Sequence, residues 1–201
     1  MSEVRAIGDR TNNAQLMADC DTLGYLGDTV LDLTYGLGRF WNHVTPLTLT
    51  TNDLNPETSA AFNEDFTKTR WLDNSFDTVV LDAPYKLNGT GGSHPSDKGY
   101  GVAGDYASVE DKMLLIWRGS TEALRLARHF VLIKCQDQVV SGKVYWQTQS
   151  VIAHMANRGI FKPNRLVDML HVQGYRPQPP GRRQVHARRD YSTLLVFGVD
   201  R

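Results

Sequence analysis

Three apolar runs rich in β-branched residues each stop abruptly at an acid, and this repeated pattern restricts the fold more than any other feature of the chain. Thr29 to Leu33 carries Asp32, Leu47 to Thr51 runs into Asn52-Asp53, and Phe76 to Leu81 ends on Asp82. Short runs of this kind read as strands, and the unbroken Val79-Val80-Leu81 reads as one covered on both faces. Helical signals lie between them. Residues 11–26 offer Thr11 or Asn12 as N-cap and place Leu16, Met17, Cys20 and Leu23 at helical spacing before Gly24 and Gly27. Thr34-Tyr35-Gly36-Leu37-Gly38 leads into a helix expected from about Arg39, and Asn55-Pro56-Glu57 predicts another through about Phe62. Strands alternating with helices build a parallel sheet, so the acids share its carboxyl rim, where open α/β sheets bind ligands.

The second half continues the alternation. Met113, Leu114, Trp117, Leu124 and Leu126 predict an amphipathic helix over 109–128, followed by a strand at Phe130 to Ile133 that delivers Lys134, Gln136 and Asp137 to the same rim. Residues 145–157 read as a further helix, with Trp146 in its core. The last two strands, Arg165 to Val172 and Tyr191 to Val199, have no helix between them and should pair antiparallel. The predicted fold is therefore α/β: a mostly parallel sheet with an antiparallel C-terminal edge hairpin. With no internal repeat or domain boundary, residues 1–201 read as one catalytic unit. The glycine-rich residues 86–107 are too long for an ordinary connection, which makes them a functional lid or a disordered insert.

Composition excludes more than it assigns. No apolar run approaches the ~20 residues of a membrane helix, and the amino terminus lacks a secretory pattern. Cys20 and Cys135 lie far apart in no CxxC pattern, and the histidines have no metal-ligand spacing, so the expectation is a cytoplasmic protein without a metal site. Basic and acidic residues balance at 22 each, so any nucleic-acid contact must come from local charge. The segment holding Arg176, Arg182, Arg183, His186, Arg188 and Arg189 supplies it, or is a solvated loop.

The glycine loop discriminates between nucleotide-binding classes. A dinucleotide fingerprint needs a third glycine where Trp41 stands, and no phosphate-cradling GxxxxGK[ST] is present. What remains is Asp32-x-Thr34-x-Gly36-x-Gly38 with Asp53 ending the next strand. This pattern resembles the first motif and the ribose-binding acid of class I S-adenosylmethionine-dependent methyltransferases. The resemblance implies a Rossmann-like fold with a mostly parallel seven-stranded sheet, and S-adenosylmethionine as cofactor, held by Asp32, Thr34, Gly36 and Gly38, with Asp53 on both ribose hydroxyls. It further implies Leu54 against the adenine face and Asp65-Phe66 near the adenine amine.

Asp82-Ala83-Pro84-Tyr85 resembles the DPPY-like motif of the amino-methyltransferases, which modify exocyclic amines of nucleic-acid bases or the amide of protein glutamine. The chemistry explains the residue types. A ring-conjugated amine is a poor nucleophile; Asp82 and the Ala83 carbonyl can each accept one of its N–H bonds, and Tyr85 can stack on the ring. Alanine stands where the family has its first proline, so the acceptor survives but the preset backbone does not. The leading acid points towards adenine N6 in DNA; an RNA base, a protein glutamine, or a cofactor-binding subunit without catalysis are the alternatives. The chain has no room for a separate target-recognition domain. Lys86, Arg182, Arg183, Arg188 and Arg189 are the candidate substrate contacts, with a homodimer or a recognition partner completing the site.

Overall fold

The computed structural model describes residues 4–5, 9–87, 108–158, 165–174, 185–187 and 189–199. Its main sheet has six strands: β1 (Thr29–Asp32), β2 (Thr48–Thr51), β3 (Phe76–Leu81), β4 (Ala127–Cys135), β7 (Arg165–Gln173) and β8 (Tyr191–Gly198), in the order β2-β1-β3-β4-β8-β7. A separate two-stranded hairpin joins β5 (Gln138–Val140) to β6 (Lys143–Tyr145). The first four strands of the main sheet run parallel, while β8 pairs antiparallel with both β4 and β7. The helices are α1 (Asn13–Thr22), α2 (Val109–Leu126) and α3 (Gln147–Arg158).

Period-two alternation splits the core into two layers. Val30, Val80, Leu132 and Leu194 face Leu16, Met17 and Cys20 of α1. Their strand neighbours Leu31, Val79, Leu81, Ile133 and Leu195 join Ile116, Ala123 and Leu126 of α2 and Met155 of α3. Each central strand is thus apolar on both faces, which is why it reads as a continuous hydrophobic run. The chain leaves β1 for the outer β2 and returns across it to β3, so the carboxyl ends of β1 and β3 flank the switch point of the sheet.

Several elements differ from the sequence expectation. Among the described residues the main sheet has six strands, not seven: between β2 and β3 the chain adds only an isolated parallel bridge, Asn52 to Phe62, to the edge. The helix expected from Asn55 is absent. The Asn55 side chain accepts from the Glu57 N–H at 3.0 Å as an Asx turn, and Asn52 pulls the chain back by donating to the Glu64 carbonyl and accepting from its N–H. After the glycine loop only a 3₁₀ turn forms, Arg39–Asn42. The terminal hairpin pairs as expected. The proposed lid lies outside the described residues except for Lys86 and Leu87, as do Arg182, Arg183 and Arg188. Among the described residues, no helix is long and apolar enough to cross a membrane.

Gly119 on α2 fixes how closely that helix approaches the sheet. A methyl added there meets the Phe66 ring at 2.7 Å and Leu81 Cδ2 at 3.2 Å. Helix propensity favours Gly119→Ala by roughly 1 kcal/mol, but overpacking costs about 1–3 kcal/mol. The expected outcome is a net loss of stability, read as a lower urea midpoint at unchanged slope.

Candidate active site

The glycine loop is built on the end of β1. Thr34 donates its N–H to Asp32 Oδ1 at 3.0 Å, and Trp41 donates its indole N–H to Asp32 Oδ2 at 2.7 Å. Trp41, the residue in place of a third glycine, is therefore a partner of the strand-ending acid. Gly36 and Gly38 turn with φ of 55° and 67°, in the left-handed region that suits glycine. The Gly36 N–H donates to Asp53 Oδ2 at 2.7 Å, and the Asn55 N–H donates to Asp53 Oδ1 at 2.9 Å. Asp53 thus holds the loop's shape while keeping lone pairs on both oxygens for further donors. Burial pushes the Asp32 carboxyl up to about 7, although the Trp41 and Thr34 donors pull it the other way.

The end of β3 stands beside this loop. The Asp82 N–H donates to the Thr34 hydroxyl at 2.8 Å, tying the two segments together. Ala83 is fully buried in the core. The Tyr85 carbonyl accepts from the side-chain amides of Gln138 at 2.6 Å and Gln147 at 3.0 Å, and Leu87 donates its N–H to Gln138 Oε1 at 3.0 Å. These two buried glutamines position the segment that carries Tyr85. The β5–β6 hairpin and the start of α3, which supply them, give no catalytic signature in sequence; a glutamine at the head of an apolar helix is the nearest thing to a signal.

Lys134, at the end of β4, completes the cluster. Its side chain is 4% exposed, and its ammonium lies 3.4 Å from both Asp82 Oδ2 and the Tyr85 hydroxyl. The charge also sits over two rings, 5.4 Å from the Phe40 centroid and 5.2 Å from that of Tyr85. Burial opposes this charge, but the Asp82 carboxylate and the Tyr85 oxygen outweigh it and raise the lysine pKa. Asp82 is itself pushed up by burial, a rise restrained by Lys134 and then Lys86. Asp82 Oδ1 is enclosed and, among the described residues, has no hydrogen-bond partner.

A cavity of about 490 Å³ lies between the loop and Asp82, lined by Asp32, Thr34, Gly36, Asp82, Tyr85 and Lys86 among the expected site residues, and also by Asn13, Arg39, Phe40 and Lys134. A second cavity of about 520 Å³ adjoins it, sharing Asn13, Arg39, Tyr85 and Lys134 and opening towards Gln136, His43 and Asp190. Asp53 stands behind Gly36. Gly38 and Leu54 are outside the lining, as are Asp65, which closes a local turn with Thr67 at 2.8 Å, and Phe66, which is buried against α2. Trp146 is not helix core: it is 48% exposed, and the Arg189 guanidinium lies 4.5 Å from its ring centroid.

Solved structures with the same architecture are distant in sequence. A protein from Thermoplasma acidophilum superposes with a TM-score of 0.54 at 11% identity, covering 93% of this chain and 88% of its own. Magnesium protoporphyrin IX methyltransferase from Synechocystis, with bound SAM, gives 0.52 at 13% identity over 94% of this chain and 78% of its own. The N-methyltransferase NodS from Bradyrhizobium japonicum gives 0.54 at 10% identity over 92% and 93%. The chain has the Rossmann-like methyltransferase fold. No family model matches it, and no curated protein matches it by sequence. In that fold the 490 Å³ cavity occupies the crevice at the switch point, so the described loop and the Asp82 strand end face one another across a ligand-sized space.

Proposed function

We propose that this protein transfers a methyl group from S-adenosylmethionine to an exocyclic amine of a nucleic-acid base, with adenine N6 in DNA as the substrate. The observation that carries this reading is Asp82 Oδ1: a buried acceptor without a donor among the described residues, at a strand end beside a glycine loop. An unmatched buried acceptor costs about 1–3 kcal/mol, and an incoming N–H satisfies it.

The cavity suits the cofactor. Its volume falls in the usual range for small-molecule sites, and its lining sets the carboxyls of Asp32 and Asp82 beside the cations of Arg39, Lys86 and Lys134, charges of both signs for a guest that has cationic centres and a carboxylate. Asp32, Thr34 and Gly36 would hold it, with Asp53 supporting Gly36. When bound, S-adenosylmethionine supplies an electrophilic methyl group on a sulfonium. Asp82 accepts an amine N–H, drawing the nitrogen lone pair out of conjugation, and Tyr85 presents a face for the base. The same carboxylate can take up the proton that the amine loses on methylation. Lys134, 3.4 Å away, opposes the rise that burial imposes on the Asp82 carboxyl and so favours its charged form.

The test is incubation with methyl-labelled S-adenosylmethionine and unmethylated DNA, RNA or cell protein, followed by mass spectrometry of the nucleosides. Label is expected in DNA as N6-methyladenine. Label confined to RNA or to protein would overturn the DNA reading while keeping amine methylation.

A further inference from the structure

Lys134 is the one buried lysine among the lining residues of both cavities, and its surroundings are unusual. Charge-assisted N–H···O bonds normally close to about 2.7–2.9 Å, whereas both of its described polar contacts stand at 3.4 Å. An ammonium has three N–H bonds, and these two long contacts leave it able to take a closer acceptor. On the other side of the same carboxylate, Asp82 Oδ1 lacks a donor among the described residues. A loosely held donor and an acceptor without a described donor therefore sit side by side, within the width of one carboxylate, at the wall of the 490 Å³ cavity.

We infer that Lys134 is a specificity-determining residue: with Asp82 it reads an amine together with the ring acceptor next to it. This deepens the proposed reading and rests on it. In adenine the N6 amine is flanked by the lone pairs of N1 and N7, so one N–H can go to Asp82 Oδ1 while a flanking nitrogen accepts from Lys134 Nζ. Guanine places an N–H beside its amine on one side, cytosine has a flanking acceptor, N3, on one side only with a C–H on the other, and thymine has no amine. The tyrosine ring carrying the second contact of Lys134 also supports the base face, so stacking and edge recognition are coupled through one residue. Burial at 4% exposure removes competing water and strengthens the contact.

The test compares natural DNA with DNA in which adenine is replaced by 7-deazaadenine, made enzymatically, and with synthetic strands of randomised sequence containing 1-deazaadenine. The wild-type protein is expected to lose roughly ten- to hundredfold in methylation rate on one of the two analogues, the range for one specific base-edge contact. Lys134→Met should lose a comparable factor on natural DNA and treat natural DNA and that analogue alike; Lys134→Arg, which keeps a donor, should retain the discrimination. Calorimetric binding of S-adenosylmethionine checks that each variant is folded, and the analogue comparison on the wild-type protein stands without any variant. Equal wild-type rates on all three DNAs, or discrimination that persists in Lys134→Met, would overturn the inference alone. Absence of label from natural DNA overturns the substrate reading and this inference with it.

Discussion

Asp82→Ala is expected to lower turnover by on the order of 10²–10³-fold while S-adenosylmethionine still binds, as measured by single-turnover methylation and calorimetry on the same preparation. That range is typical for removing one preorganised group that acts on the reacting centre. The split between binding and rate follows from geometry. Asp82 meets the loop through its backbone N–H on Thr34, which alanine keeps, whereas the carboxylate faces the cavity and Lys134. Removing the carboxylate also leaves a buried ammonium whose one remaining polar contact among the described residues is the Tyr85 hydroxyl, so some stability is lost as well. Asp82→Asn separates the two effects, because its amide keeps one acceptor oxygen at nearly the same shape. The expected order of rates is wild type, then Asp82→Asn, then Asp82→Ala. Unchanged turnover in Asp82→Ala would remove this residue from the chemistry.

The rim of acids was legible because it depends on strands, and strands covered on both faces write themselves as apolar runs. Asp32 and Asp82 end β1 and β3 as their runs predict, and the structure places both on one cavity. The antiparallel terminal pair was equally legible, since no helical period separates its strands. The segment between β2 and β3 was not. Asn55-Pro56-Glu57 has the local chemistry of a helix start, but the same asparagine also closes an Asx turn. Competition between local and tertiary bonds decided it, with Asn52 and Asn63 holding the chain against the sheet edge. The side chains of Gln138 and Gln147 were invisible for a related reason: their work is to satisfy the Tyr85 carbonyl, a task any amide could do and no motif records. Trp41 shows the reverse case. Its position excluded a dinucleotide fingerprint, and the fold gives the positive reason, a bond to Asp32.

Asp32 is expected to contribute a loss of stability as pH rises from about 4 to about 7. Its carboxyl is held at about 7 when folded, chiefly by burial, against 3.8 for the free side chain. Between those values the folded state binds more protons than the unfolded state, so the slope of stability with pH is negative there. Below the free value both states are protonated and the penalty is absent; above about 7 it is fully present. The shift corresponds to roughly 4 kcal/mol of differential stability. Urea unfolding across this window should show a shallower decline in Asp32→Asn than in the wild-type protein, the difference being the share of this one titration. A cationic guest in the cavity opposes the effect by favouring the charged carboxylate. S-adenosylmethionine should therefore bind more tightly at pH 7 than at pH 5, with proton release visible as a buffer-dependent binding enthalpy. Asp32→Asn should bind more weakly at pH 7 and lose most of that pH dependence. Equal affinity at both pH values in the wild-type protein would mean that Asp32 does not sense the charge of the ligand, and would place the cofactor's cationic centres elsewhere in the crevice.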